Sequence, residues 1–273
     1  MLYQEIHCPY CNSIDVRLFG KTTTGKQRYF CKNSECQHQT FLLEYTREGD
    51  KPGIKAKIVN MVMNGSGTRD TARVLGINKD TVTRTLKKLS TFVNPVNEKY
   101  LNNMKTDDID IVVTNPLDPT VKPFTLDKTV KKNEKTPEVE MDEMWSFYGN
   151  KKNQEWLWWA VDHKTNTPLA YVFGSREYNY LDKLLELLKP FKIKKFYTDK
   201  NFAYESRIPS SQLEASKRNT QKIERQHLTL RTRIKRLARK TICFSKNKLI
   251  HENVIGFFIN TFFFKNELNA VLF

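Results

Sequence analysis

Three features of the sequence predict a multidomain α+β chain. Two pairs of cysteines stand near the N-terminus, two short helical runs meet at a glycine, and the second half reads as strands followed by helices. At 273 residues the chain is long enough for about two domains with sizeable cores.

Composition sets the boundaries. Residues 1–45 hold four cysteines and short β-like runs, and residues 52–90 read as helices. Residues 91–137 lack helical periodicity and read as a linker, with Pro95, Pro116, Pro119, Pro123 and Pro137 and the acidic run Asp107-Asp108-Ile109-Asp110. A strand is expected near Ile111-Val112-Val113. Residues 138–273 form the strand-and-helix domain.

Cys8 and Cys11 are separated by two residues; Cys31 follows after 19 more, and Cys36 after a further four. Two such pairs suit tetrahedral Zn²⁺, which prefers thiolates. Between them Val16-Arg17-Leu18-Phe19 and Gln27-Arg28-Tyr29-Phe30 read as a hairpin with Gly25 in the turn. The pattern predicts a zinc ribbon with one structural zinc on Cys8, Cys11, Cys31 and Cys36. His7 and His38 flank the set, but four thiolates already complete the shell. The module is too small to fold on apolar burial alone, so the metal supplies much of its folding free energy. Cys243 stands apart and reads as a buried small apolar residue.

Ile54 to Met63 has apolar residues at helical spacing and ends at Asn64-Gly65. Thr68 to Leu75 is a second helix, with Thr68 as its expected cap, and Gly76 breaks it. Asn78 then caps a third run, Lys79 to Leu89, whose Val82, Leu86 and Leu89 face inward. Two short helices around a glycine turn describe a helix-turn-helix. Lys79, Thr83, Arg84 and Lys87 lie on the outer face of its second helix, where Lys and Arg suit phosphates or guanine edges.

Charge points to the same class of partner. Lys plus Arg number 46 against 30 Asp plus Glu, a formal net charge of +16. A surplus of that size implies a polyanion, here double-stranded DNA. An anionic membrane would require a basic amphipathic helix with an insertable apolar face. No apolar run is long enough for a bilayer span, and the N-terminus lacks a signal-peptide layout, so no membrane partner and a cytoplasmic location are expected.

The second half runs strand, strand, strand, helix, strand, helix, the order of an α/β RNase-H-like domain. Such sheets place reactive groups at strand ends. Asp142 lies within an apolar strand segment and Asp199 ends another. From Lys217 to Lys248 there are twelve Lys and Arg, and Glu224 is the sole acid. Ile223, Leu230, Ile234 and Leu237 give that helix an apolar stripe, bordered by Glu224, His227 and Arg231. Three clustered carboxylates repel one another. Two Mg²⁺ (or Mn²⁺) ions would balance three carboxylates and one scissile phosphodiester, and such a pair can stabilise attacking and leaving oxygens together. Glu143, Asp162, Glu177 and Asp182 read as solvated or turn residues, with Glu143 and Asp162 as candidates for an auxiliary role. Trp156, Trp158 and Trp159 read as core or sheet surface, and the apolar stretch Ile250 to Phe264 as a packed helix or a dimer contact.

These motifs resemble the transposases of the IS-one family of bacterial insertion sequences. The resemblance rests on the cysteine pairs, Thr24-Gly25-Lys26-Gln27-Arg28-Tyr29-Phe30-Cys31, Asp142-Glu143-Met144-Trp145, Tyr171-Val172-Phe173-Gly174, Tyr197-Thr198-Asp199 and Lys217 to Arg225. Lys200-Asn201 stands where the family carries Gly-Trp. The resemblance implies a DDE mechanism on Asp142, Asp199 and Glu224, and recognition of terminal inverted repeats by the zinc and helix-turn-helix region. Arg218, Arg225, Arg231 and Arg233 are then expected to hold DNA backbone near the acids. Holding two DNA ends together further implies a homo-oligomer on DNA. The rival readings are a regulator with a decayed catalytic domain and a structure-specific nuclease of the same fold.

Overall fold

The computed structural model describes residues 5–36, 38–106 and 136–266, so the strand expected near residue 111 lies outside the described residues. The chain divides into two compact units.

The first unit comprises Met1–Asn94, Trp145–Trp156 and Arg225–Phe273. It opens with a three-stranded antiparallel sheet of β1 (Val16–Lys21), β2 (Gln27–Cys31) and β3 (Thr40–Leu42), in that order. Arg17 faces Phe30 and Leu18 faces Tyr29, as the expected hairpin requires. Gly25 closes the turn at φ +82°, a conformation that costs glycine little. Cys8, Cys31, Cys36 and Phe41 make the small buried core, with Ile6, Tyr10, Val16 and Tyr29 packed against it.

Three helices follow: α1 (Ile54–Met63), α2 (Thr68–Leu75) and α3 (Lys79–Lys88). The cap of α2 is Gly67 in extended backbone, so Thr68 is already the first helical residue and caps nothing. Gly76 ends α2 in the left-handed region, and Asn78 caps α3 by accepting the Asp80 amide at 2.8 Å. Val82, Leu86 and Leu89 are buried. The chain's last long helix, α8 (Lys248–Phe258), also belongs to this unit and packs on α1 and α3. Asn253 on α8 donates from Nδ2 to the carbonyls of Leu86 (2.9 Å) and Lys87 (3.1 Å) at the end of α3, where the Leu89 amide and the Ser90 hydroxyl also donate. Val254, Ile255, Phe257 and Phe258 are buried, so the C-terminal apolar stretch packs as a helix.

The second unit comprises Pro95–Met144 and Leu157–Glu224. Its five-stranded sheet has the order β6 (Pro168–Gly174), β5 (Gln154–Asp162), β4 (Glu138–Phe147), β7 (Lys195–Thr198), β8 (Leu213–Ala215). The first three strands are chain neighbours, whereas β7 pairs with β4 in parallel after the crossover helix α5 (Tyr178–Leu188). That is the RNase-H-like arrangement. Its core includes Val139, Met141, Trp158, Trp159, Leu169, Leu181 and Leu184, all fully buried. Gly174 is required where β6 ends, because the Tyr180 ring fills the space a Cβ would take.

Other elements depart from the sequence expectations. The segment read as linker begins with a helix, α4 (Glu98–Thr106), tied to the sheet edge by Asn97 N–H to Leu169 O (2.8 Å) and by Tyr171 N–H to Pro95 O (3.0 Å). These contacts are made in sequence by residues 70 or more positions apart, which local periodicity does not register. β3 and β8 are too short to leave a pattern. The helix α7 (Gln221–Arg233) stops before Ile234, and the buried stripe continues through a 3₁₀ turn at Lys235–Leu237. Cys243 is exposed rather than buried, and neighbouring Ile242 is 90% exposed. The segment that holds it is irregular, and Phe244, which packs on Phe147, is its apolar anchor.

Candidate functional site

The cysteines converge. Cys8 and Cys36 sulfurs lie 3.8 Å apart, Cys11 and Cys31 sulfurs 3.6 Å, and all four fall within 4.8 Å of one another. Zinc–sulfur bonds of about 2.3 Å set a tetrahedral edge of about 3.8 Å, so the donor set fits Zn²⁺. Burial pushes the Cys36 thiol up to about 12 and also raises Cys31. Cys11 is lowered to about 7, chiefly by a hydrogen bond from the Ser13 backbone. His38 stacks on Tyr10, and His7 Nδ1 lies by the Asn12 carbonyl, so neither replaces a sulfur.

The acids meet on the sheet of the second unit. Glu140 on β4 stands opposite Tyr197 on β7 in the parallel ladder; Asp142 lies two residues beyond Glu140 within β4, and Asp199 two residues beyond Tyr197, just past the end of β7. Glu224 comes in the first turn of α7 and is exposed. Asp142 is half-buried, and its carboxyl is pushed up to about 7. Burial is the main cause, and repulsion from Glu143, Asp199 and Glu224 adds to it. Asp199 and Glu224 therefore each lie within electrostatic reach of Asp142. They are looser than the cysteines: among the described residues, the thiols are the one set of three or more candidate ligands within 4.8 Å. An all-oxygen donor set whose charges raise one member toward neutrality is the chemistry a divalent cation relieves.

Two further acids lie beside Asp142: Glu140, which the sequence did not single out, and Glu143, read there as solvated and a candidate for an auxiliary role but buried in the structure. The Glu143 side chain is 3% exposed and saturated. Its Oε1 accepts from Arg176 (3.0 Å) and Asn201 Nδ2 (3.1 Å), and its Oε2 from the Tyr204 hydroxyl (2.8 Å). Burial and the surrounding carboxylates hold Tyr204 protonated, as a donor must be. Asn201 also caps α6 (Phe202–Glu205), directly after Asp199. Glu143 thus grips the segment that follows the second acid. Glu140, on the same β4 face as Asp142, is 1% exposed and points to the start of α7. Alternation along β4 was the one available signal for it.

Asp162 is a turn residue: it accepts from Lys164 N–H and Thr165 and takes the Tyr100 hydroxyl. Burial, with Arg231 adding to it, lowers His227 to about 3, so its imidazole is neutral. On α3, Lys79, Arg84 and Lys87 are exposed and Thr83 is half-exposed. Arg218 and Arg225 are exposed. The Arg231 guanidinium is half-buried and donates to the carbonyls of Trp145 (2.9 Å) and Leu237 (3.4 Å). Arg233 lies over the rings of Phe258 and Phe262. Among the described residues no helix is long and apolar enough to cross a membrane.

Comparison with known proteins matches the same segments in the same order. The profile described as InsA N-terminal domain covers residues 2–37, that described as InsA C-terminal domain covers 45–90, and that described as IS1 transposase covers 138–265. The insertion element iso-IS1n protein InsB of Shigella dysenteriae is 51% identical over 125 residues, 46% of this chain and 95% of that protein. The insertion element IS1 protein InsB of Shigella sonnei is 44% identical over 122 residues, 45% of this chain and 93% of its own length. With these three profiles matched in order, and the relatives covered over most of their own length, the chain belongs to the IS1 transposase family.

Proposed function

We propose that this chain binds the ends of its own element and cuts and joins DNA through Asp142, Asp199 and Glu224. The observation that carries the reading is Asp142, whose carboxyl is raised to about 7 by burial and by the acids around it. A half-buried acid held at that cost by its own neighbours is a functional-site signature.

The residues divide the work. Asp142 on β4, Asp199 just past β7 and Glu224 in the first turn of α7 are the residues that would hold two Mg²⁺ or Mn²⁺ ions. Bound there, such ions lower the pKa of a nucleophilic oxygen and offset charge on the phosphate. Below about pH 7 Asp142 holds a proton, which it must release as the cations arrive. In the first step a water oxygen attacks phosphorus at the element end, and the 3′-oxygen leaves as a hydroxyl. In the second that hydroxyl attacks a target phosphodiester, and the displaced strand takes up the proton. The acids align both attacks, and no covalent intermediate with the protein is formed.

Lys79, Thr83, Arg84 and Lys87 on α3 read the terminal inverted repeats. Exposed Arg218 and Arg225 flank Glu224 in sequence and hold phosphates; Arg231 and Arg233 serve the protein's own packing. Zn²⁺ on the four cysteines keeps the ribbon folded. Two ends must be held at once, which calls for a homo-oligomer on DNA, acting in the cytoplasm where the element resides. Cleavage of a supercoiled plasmid carrying the element ends tests the reading. Asp142→Asn, Asp199→Asn and Glu224→Gln should each lose cleavage by at least about a thousandfold while end binding persists. Wild-type cleavage by any one of them removes that residue from the site. A decayed regulator would bind ends without cutting, and a branched-DNA nuclease would cut without joining.

A further inference from the structure

Glu140 is an acid with no place in the proposed chemistry, yet it is 1% exposed and two residues from Asp142. Its Oε2 accepts the backbone amides of Lys222 and Ile223, both at 3.0 Å. These are the second and third residues of α7, whose first-turn amides have no partners within the helix. Its Oε1 lies 2.7 Å from His163 Nδ1. The His163 ring in turn packs on Tyr197 with centroids 4.4 Å apart, and Lys222 Nζ donates to the His163 carbonyl. A strand carboxylate therefore caps a helix that begins 81 positions later, and the residue after the capped pair is Glu224.

We propose that Glu140 is a positioning residue for the third acid: its carboxylate fixes the start of α7 on β4 and so sets where Glu224 stands relative to Asp142. The physical case has three parts. A charged carboxylate on two helix N-terminal amides is favoured by both hydrogen bonding and the helix dipole. Glu140 and Asp142 share one face of a rigid strand, so the clamp and the first acid move together. Glu224 itself is exposed and lies one residue beyond the clamp, so its place follows from that of the helix start, which Glu140 fixes together with the buried Thr220 and Ile223. Glu140 touches no reacting atom and ligates nothing in this scheme.

This inference rests on Asp142, Asp199 and Glu224 forming the divalent-cation site, and the test separates the two. Full-length Glu140→Ala and Glu140→Gln are compared with wild type and Glu224→Gln by Mn²⁺ binding (electron paramagnetic resonance of free Mn²⁺) and by the Mg²⁺ concentration needed for half-maximal plasmid cleavage. Loss of a buttress behind a ligand lowers metal affinity about 10-fold or more, so Glu140→Ala should weaken Mn²⁺ binding and raise the Mg²⁺ requirement by that factor. End binding, measured without divalent metal, should stay at the wild-type level. Glu140→Gln keeps one acceptor of the same shape and should recover part of the loss. Should Glu140→Ala fail to fold, Glu140→Gln carries the test with a several-fold loss. Unchanged Mn²⁺ affinity and Mg²⁺ requirement in the folded Glu140 variants, with both lost in Glu224→Gln, overturns the inference alone. Unchanged Mn²⁺ binding in Glu224→Gln overturns the reading of the site beneath it.

Discussion

The ribbon gathers thiols and the sheet gathers carboxylates, and they do so in opposite ways. In the ribbon four sulfurs come within 4.8 Å; without a metal, burial raises Cys31 and Cys36 while Cys11 is lowered to about 7. In the sheet the proposed ligands are carboxylates, and burial with neighbouring acids raises Asp142 to about 7. The ribbon's buried core is little more than its cysteines and Phe41, so site and fold are one object. The acids stand on a sheet with its own large core, and buried Glu140 and Glu143 tie down the elements around them. The lesson is that a metal can hold up the first region but only completes the second.

The sharpest break in that comparison is removal of each metal site in turn. Cys31→Ser, or a strong chelator, should unfold residues 5–45, since structural zinc contributes about 10–16 kcal/mol in comparable modules. Amide exchange would report it as lost protection in β1 and β2 with the sheet of the second unit unchanged. Retained protection there would place the ribbon's stability in its apolar contacts.

The acid site should answer to pH instead. Asp142 has its folded pKa raised to about 7 from 3.8, so ionising it weakens the metal-free fold as pH climbs between those values. A dication displaces that proton. Apparent Mn²⁺ affinity should therefore rise by up to about tenfold per pH unit below 7 and level off above it. A flat profile from pH 5.5 to 8 would mean that Asp142 carries no such proton.

Asp142→Asn removes the repelled charge and should stabilise the metal-free chain at pH 8 while cleavage disappears. The gain expected is about 2–4 °C in Tm for each kcal/mol relieved. A lowered Tm would show that the carboxylate is held by favourable contacts. The mildest effect concerns the thiols: with zinc bound, a limiting alkylating agent at pH 7 should mark half-buried Cys11 ahead of buried Cys31 and Cys36, read by peptide mass spectrometry. Equal labelling of the three would remove the asymmetry within the ribbon.

What was legible in the sequence tracks how local the interaction is. Cysteine spacing, the Asn78 cap, the Gly76 break and the strand order through Asp199 all act over a few residues, and all appear as read. The three acids stood out as lone carboxylates in apolar or basic surroundings, and the family resemblance grouped them. Glu140 was not singled out and Glu143 was read as solvated because their partners lie 23 to 83 positions away and leave no local pattern. The end of α7 was overrun for a related reason: the buried stripe continues through Ile234 and Leu237 although the helix does not. Cys243 was misplaced because an apolar neighbourhood in sequence, Ile242 and Phe244, is not one in space.

Asn253 has a further implication. The carbonyls it satisfies end the helix proposed to read DNA, and they precede it by 166 and 167 positions. A nascent chain therefore finishes this head only once a segment 166 positions further on has been made. Contacts of such long sequence separation form slowly. The proposed grip on an element end is thereby timed to the appearance of α8.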